Sequence, residues 1–340
     1  REYCHPRMYN KLPNQLFLNN GDGTFRDISA SSGIRAHPGK GMGAAVADYD
    51  DDGLMDIFVA NDKVYNFLFH NKGSSKFEEI AFRTGVAAVE NGQLISGMGV
   101  DFRDIDNDGR PDIIVVALDD ETFPIYRNLG GEFAEVTSAT KMNVLSLPMA
   151  GYSPTISDFD NDGWKDIFVT RGHVQSPAAA PRVTVEQHNT IFRNLAGATF
   201  AALTAEAGLA TQPPRRHRGS AVGDLNGDGR LDVVTSSIGG PAEVWLNDSP
   251  GEHHWLQLLL RGTRSNRDAI GARIKVVTRT GTQHNHATTA LGYASSSAGP
   301  VHLGLGPDKT ADLVEIRWPS GTVQILKGVA GDRVLKVTEP

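Results

Sequence analysis

The chain is 340 residues long, 39% apolar and 21% charged, with a negative mean hydropathy; it has a globular composition and no run near the ~20 apolar residues of a membrane span. Its 33 basic and 40 acidic residues leave a net charge of −7, which excludes general attraction to a phosphate backbone and argues against nucleic acid as a partner. The length predicts two domains or one repeat array with an appendage, and 37 glycines beside 7% aromatics favour short strands and tight turns, an all-β fold.

The chain opens on Arg1 with no basic-then-apolar leader, the pattern of a trimmed product whose targeting signal lies upstream. Cys4 is the one cysteine, so no internal disulfide and no cysteine-built zinc site is expected. From there a repeat begins. Residues 14–34 supply two strands, and units over 43–82, 97–138, 152–206 and 219–248 follow, each read as four antiparallel strands, the composition of a propeller blade.

Two markers carry the period. One is an aspartate loop: Asp48, Asp50, Asp52, Gly53 and Asp56; Asp104, Asp106, Asp108, Gly109 and Asp112; Asp158, Asp160, Asp162, Gly163 and Asp166; Asp224, Asn226, Asp228, Gly229 and Asp232. The other is an apolar run closed by asparagine at Asn19, Asn71, Asn128, Asn194 and Asn247. Each loop follows a small, Gly-rich run and precedes a β-branched one such as Ile113 to Val116, so it joins two strands. Four and a half blades leave open edges, which predicts either further blades upstream of Arg1 or self-association.

Oxygen ligands at positions 1, 3 and 5 with glycine at 6 converge on one point, as in calcium loops. Position 7 (Leu54, Arg110, Trp164, Arg230) would add a backbone carbonyl and position 9 a last carboxylate. Position 12 is Val59, Val115, Val169 or Thr235 and not the glutamate of an EF-hand, so the loop is a hairpin connection around one hard cation. The carboxylate count favours calcium over magnesium, which keeps its waters. Asn226 gives the fourth loop one carboxylate fewer, so it is expected to bind weakest. Turn chemistry alone accounts for one such loop, but not for four in the same phase.

From about His253 the loops stop and longer strands begin: Trp255 to Leu260, Ala272 to Arg279, Leu313 to Trp318 and Val334 to Val337, a small β-sandwich or barrel. The segment Ser265 to Gly271 reads as a structural turn, His284 and His286 as an exposed polar strand with metal-pair spacing as the alternative, and Arg215 to Arg218 and Ser176 to Pro181 as solvated loops, the former a possible grip for an acidic glycan. Asn247 begins a weak glycosylation sequon followed by Pro250. No nucleophile elbow, phosphate loop, zincin motif or dinucleotide fingerprint is present; an enzyme would need a carboxylate pair among acids such as Asp119, Asp120 and Glu121.

On these residues the repeats resemble FG-GAP (VCBS-type) blades. The segments His254 to Leu258, Gly262 to Ile274, His302 to Gly306 and Val314 to Gly321 resemble the ASPIC/UnbV domain of the cartilage acidic protein family and its bacterial relatives. Residues 290–300 depart from that family pattern. The resemblance implies an all-β chain: a β-propeller over residues 1–250, incomplete at its N-terminus, followed by an ASPIC/UnbV-like β-sandwich or barrel over 251–340. It further implies calcium at about four structural sites, on Asp48, Asp50, Asp52, Asp56 and their counterparts, and a secreted or cell-envelope location. The expected function is a binding or adhesion module for a protein or glycan, with no nucleic acid and no membrane span. A carbohydrate-active or biosynthetic enzyme, and a fibre or surface-layer component, are the alternatives.

Overall fold

A computed structural model describes residues 6–174 and 184–340. Cys4 and the stretch Ser176 to Pro181 lie outside the described residues. The molecule is all-β apart from short helical turns. Three four-stranded antiparallel sheets follow one another in chain order: Gly41–Ala47, Asp56–Asn61, Phe67–Asn71, Phe77–Glu79; then Val100–Arg103, Asp112–Val115, Ile125–Asn128, Phe133–Glu135; then Gly151–Ser157, Asp166–Arg171, Thr190–Leu195, Thr199–Leu203. We call these blades 1 to 3. Ahead of them stands the hairpin of Phe17–Asn19 and Phe25–Asp27, the outer half of a blade, as the sequence predicts.

Blade 4 departs from the prediction of four strands. It has three, His217–Gly223, Asp232–Ser237 and Glu243–Trp245, because the chain after Trp245 runs on toward the C-terminal sheets and does not turn back. Its outer edge is therefore unpaired, with Val244 and Leu246 exposed.

The first strands of consecutive blades pack side by side in a propeller-like array, and a β-bulge shifts the register near the start of this strand in blades 1, 3 and 4. Apolar clusters fill the gaps between neighbouring blades. Phe58, Leu68, Phe102, Ile113 and Tyr126 join blades 1 and 2; Ile114, Phe123, Ile125, Ile167 and Phe192 join 2 and 3; Phe159, Phe168, Leu231 and Val233 join 3 and 4. The Gly-rich character of the first strands follows from this crowding: a Cβ on Gly99 would stand 2.1 Å from the Tyr152 carbonyl.

The C-terminal region forms a three-stranded sheet in the order Val301–Gly306, His254–Arg261, Arg333–Thr338, the last pair parallel, and a four-stranded antiparallel sheet in the order Thr282–His286, Arg273–Val277, Thr310–Arg317, Val323–Ala330. Their shared core, from Leu256 to Val337 with Trp318 at its largest member, draws every residue from this region. One piece leaves it: the small hairpin Ala290–Leu291 and Ser295–Ser296 reaches into the cleft between the first strands of the blades.

Candidate metal centres

Each aspartate loop joins the first and second strands of its blade, so all four lie at the same end of the array. The loops build themselves from their own carboxylates. The position-1 oxygens accept the position-6 glycine N–H: Asp48 from Gly53 at 3.1 Å, Asp104 from Gly109 at 2.9 Å, Asp158 from Gly163 at 2.8 Å and Asp224 from Gly229 at 2.9 Å. Those glycines have φ between 85° and 94°, a left-handed conformation that side chains disfavour. Position 5 accepts the N–H of position 7, as Asp52 does from Leu54 and Asp162 from Trp164, both at 2.8 Å.

Position 9 ties the loop to the third strand, and this explains why the two sequence markers share a period. Asp112 accepts the Ile105 N–H with one oxygen and the Asn128 N–H with the other, both at 2.9 Å; Asp56, Asp166 and Asp232 do the same with Asn71, Asn194 and Asn247. The asparagine carboxamide then crosses to the preceding blade. Asn128 donates to the Tyr49 carbonyl at 2.8 Å, Asn194 to Ile105 at 3.0 Å and Asn247 to Phe159 at 2.7 Å. Because the Asn247 amide nitrogen is engaged in this way, the sequon there is occupied by the fold.

The remaining oxygens converge. Ligand atoms of Asp48, Asp50 and Asp52, of Asp104, Asp106 and Asp108, and of Asp158, Asp160 and Asp166 lie within 4.8 Å of one another. Asp50 Oδ1 and Asp104 Oδ1 are buried with no hydrogen-bond partner, which leaves both able to ligate a cation. Burial pushes Asp56 up to about 7 and Asp104 up to about 6. Asp112, Asp158 and Asp166 are raised well above the carboxylate range, by burial first and by neighbouring carboxylates next. Such groups ionise readily only beside a positive charge. The acidic clusters of the first three loops are thus able to hold a metal.

The fourth loop differs. Its ligand oxygens are not among the groups that converge within 4.8 Å, and Gln257 donates to Asp224 at 3.2 Å, while Asp228 pairs with Arg230, at 2.9 Å, as Asp108 does with Arg110 in loop 2. Burial, the largest single effect, raises Asp228, but the Arg230 N–H, the Asn226 side chain and the Arg230 guanidinium together hold it below its ordinary value.

The C-terminal sheets sit on the loop end, a contact invisible in the sequence. In loops 2 and 3 the position-4 asparagine reaches the next loop, Asn107 to the Gly163 carbonyl at 2.9 Å and Asn161 to Gly229 at 3.1 Å. Loop 1 carries Asp51 there, which cannot donate; Arg273 bridges the gap, pairing with Asp51 and donating to the Gly109 carbonyl at 3.3 Å. His302 binds Asn161 at 2.7 Å and the Gly306 N–H reaches the Asn161 carbonyl at 2.9 Å. A cavity of about 480 Å³ remains between loops 1 and 2 and the sheet bearing Arg273, Lys275, His284 and Arg317.

Other sequence candidates fall into place. His284 and His286 are not on an exposed strand: their face is turned to the blades, His286 is buried, and burial lowers them to about 4 and about 3. Arg215 and His217 share Glu243 at 2.6 and 2.9 Å, and Arg218 lies 3.7 Å over the Tyr152 ring, so this cluster belongs to the blade and not to a solvated loop. Asp119 pairs with His173 at 2.6 Å, and Glu121 with Lys63. The turn at Ser265 is tied down by Glu339, which accepts the Thr263, Arg264 and Ser265 N–H groups at 2.8 Å each. Among the described residues no helix is long and apolar enough to cross a membrane.

The chain matches the FG-GAP-like repeat over residues 8–59, 48–115 and 104–169, and the ASPIC and UnbV domain over 262–340; the fourth aspartate loop lies outside both. Cartilage acidic protein 1 of Xenopus tropicalis is 29% identical, over 90% of this chain and 46% of the relative, and that of Homo sapiens 28%, over 96% and 48%. The chain thus spans about half the length of these relatives. Among solved structures, an Agrocybe aegerita lectin described as recognising non-reducing terminal N-acetylglucosamine aligns with a TM-score of 0.33 at 18% identity, over 69% of this chain and 74% of the lectin. The chain is an FG-GAP repeat protein with a C-terminal ASPIC and UnbV domain, homologous to cartilage acidic protein 1.

Proposed function

We propose that this is a calcium-binding propeller segment, residues 1–250, joined to a β domain, residues 251–340, that works outside the cytoplasm as a binding or adhesion module, with calcium structural. The convergence of buried, partly unpartnered carboxylates in loops 1 to 3 supports it. Asp48, Asp50, Asp52 and Asp56, and their counterparts in loops 2 and 3, would hold the ion; calcium would supply the positive charge that their crowding lacks. The chain's own residues position the carboxylates through the glycine, position-7 and asparagine N–H bonds. Since the C-terminal sheets cover the loop end, a partner would meet the opposite end of the blades or the outer faces of those sheets.

The acids lining the 480 Å³ cavity favour this over catalysis: apart from Asp51, paired with Arg273, and Glu315, they are loop ligands. Thermal unfolding of chelated protein with and without calcium, with metal stoichiometry, tests the reading. Three tight sites and a weak fourth are expected, each adding about 2.7 kcal/mol at a hundredfold excess over its Kd. An unchanged Tm with no bound calcium sinks it.

A further inference from the structure

A second cavity, of about 420 Å³, lies where the first strands of blades 2, 3 and 4 end beneath the C-terminal sheets; Arg103, Ser157 and Val222 line its blade side, and His286, Ser297 and His302 its C-terminal side. Its size falls within the roughly 300–1,000 Å³ of small-molecule sites. Asp268, Gly299 and Pro300 also line it and are exposed, so it opens to solvent on that side. Neither structural calcium nor a macromolecular partner gives it a role.

Two residues of its wall carry a buried ring nitrogen with no hydrogen-bond partner, His286 Nε2 and His302 Nδ1. The bond on the far side of each ring fixes which nitrogen bears the proton. Asn161 donates to the Gly229 carbonyl with its Nδ2, so its Oδ1 accepts, and His302 gives it the Nε2–H at 2.7 Å. The His286 ring bonds the Val46 backbone in the sense that favours the protonated ring, which is donation to the carbonyl. Burial lowers His286 to about 3 and His302 to about 4, so both rings are neutral near neutral pH and each keeps a bare lone pair. A buried acceptor is costly until a donor reaches it. The two strands are adjacent here, Asn285 Nδ2 donating to the His302 carbonyl at 3.1 Å, which brings both rings to one part of the wall. Donors stand nearby: the Ser297 hydroxyl accepts the Val222 N–H at 3.0 Å and the Thr288 hydroxyl the Ala290 N–H at 3.2 Å, and each retains its own proton to give. Both signs of charge are present, Arg103 beside Asp101 and the position-1 carboxylates Asp158 and Asp224, so a charged ligand would lose at one wall what it gains at the other. Among the described residues the lining holds no Phe, Tyr or Trp, which leaves a flat aromatic ligand without a stacking partner.

We propose that this cavity binds a neutral polyol, a single sugar ring or a cyclitol, whose hydroxyls donate to His286 Nε2 and His302 Nδ1 and accept from Ser297 and Thr288. Hydroxyl groups suit such a wall because each is donor and acceptor at once. No loop carboxylate takes part, so the proposal stands whether or not the loops hold calcium.

The test is calorimetry and imidazole-nitrogen NMR on the full chain in calcium, with the methyl pyranosides of glucose, galactose and mannose and myo-inositol as neutral probes, and glucuronate and glucosamine as charged counterparts. At least one neutral probe is expected to bind with a Kd of about 1 mM or tighter, ahead of both charged sugars, and to move the resonances of His286 Nε2 and His302 Nδ1. Gly299→Trp, at a position where an added Cβ meets nothing within 4 Å, obstructs the opening and should abolish binding at an unchanged Tm. His286→Phe removes one acceptor and should weaken binding about tenfold. No binding by any neutral probe, which would mean a cavity filled by water alone, overturns the proposal. So do a charged sugar that binds more tightly than every neutral one, ring resonances that stay in place, and binding that survives both variants.

Discussion

At the scale of single residues, the third-strand asparagine carries the most consequence. Asn128 is fully buried, receives the Gly130 N–H and gives its own amide to Tyr49 in the blade before it. Asn128→Leu keeps the volume but leaves the Tyr49 carbonyl without its partner, so we expect a loss of about 1–3 kcal/mol, read from the denaturation midpoint. Protonation is the second residue-scale lever. Asp56 and Asp104, raised to about 7 and about 6, hold protons in the folded chain that the unfolded chain releases near 3.8. The folded state thus binds more protons over that interval, and stability of the metal-free chain falls as pH rises from about 4 to about 7. Calcium should reverse this trend. Chelated and calcium-loaded melts across that pH range check the sign, and a metal-free Tm that climbs with pH would contradict it.

At the scale of elements, the blades were legible because each is specified locally: a loop with fixed phasing, an asparagine at fixed offset, β-branched runs between. The outer strands begin at Phe25, Phe77 and Phe133, and at Thr199 just ahead of Phe200, each after a turn. The missing fourth strand of blade 4 was not legible, since nothing local distinguishes a chain that turns back after Trp245 from one that departs. The docking of Arg273 and His302 onto the loops was equally hidden, because it depends on partners more than a hundred residues away. The positions of the candidate ligands were readable for the same local reason as the blades. The hairpin at residues 290–296 hid best, looking only like a departure from a pattern. Its Gly292 pairs with Val100, its Tyr293 N–H meets Ser153 Oγ at 3.2 Å, and Ser295 and Ser297 take the Ser220 and Val222 N–H groups, each at 3.0 Å. Tyr293→Ala removes the edge-on contact with Tyr152 at 5.1 Å, worth about 0.5–1.5 kcal/mol beyond its burial. Faster amide exchange in Val100–Arg103 and Gly151–Ser157 is the expected signature; unchanged exchange there would mean the hairpin rests on the blades without holding them.

At the scale of the whole molecule, the metal loops and the C-terminal sheets share one interface. Asp224 is held by Gln257, Asp51 by Arg273 and Asn161 by His302, so whatever orders the loops also orders their cover. Chelation should therefore raise amide exchange in His254–Arg261 and Thr282–His286 as well as in the loops themselves. Exchange confined to the loops would show the two parts to be uncoupled.

The hairpin has one more consequence, and it concerns time. A chain made from its N-terminus completes blades 1 to 4 before residue 290 has left the ribosome, at about 5–20 residues per second. The strands that the hairpin pins together, the first strands of all four blades, must wait for it, side by side with their cleft open to water. Residues 290–296 are thus a late-arriving keystone: every nascent chain passes through an unlocked stage, and a message that stops short of them leaves blades 1 to 4 made but unfastened at the centre.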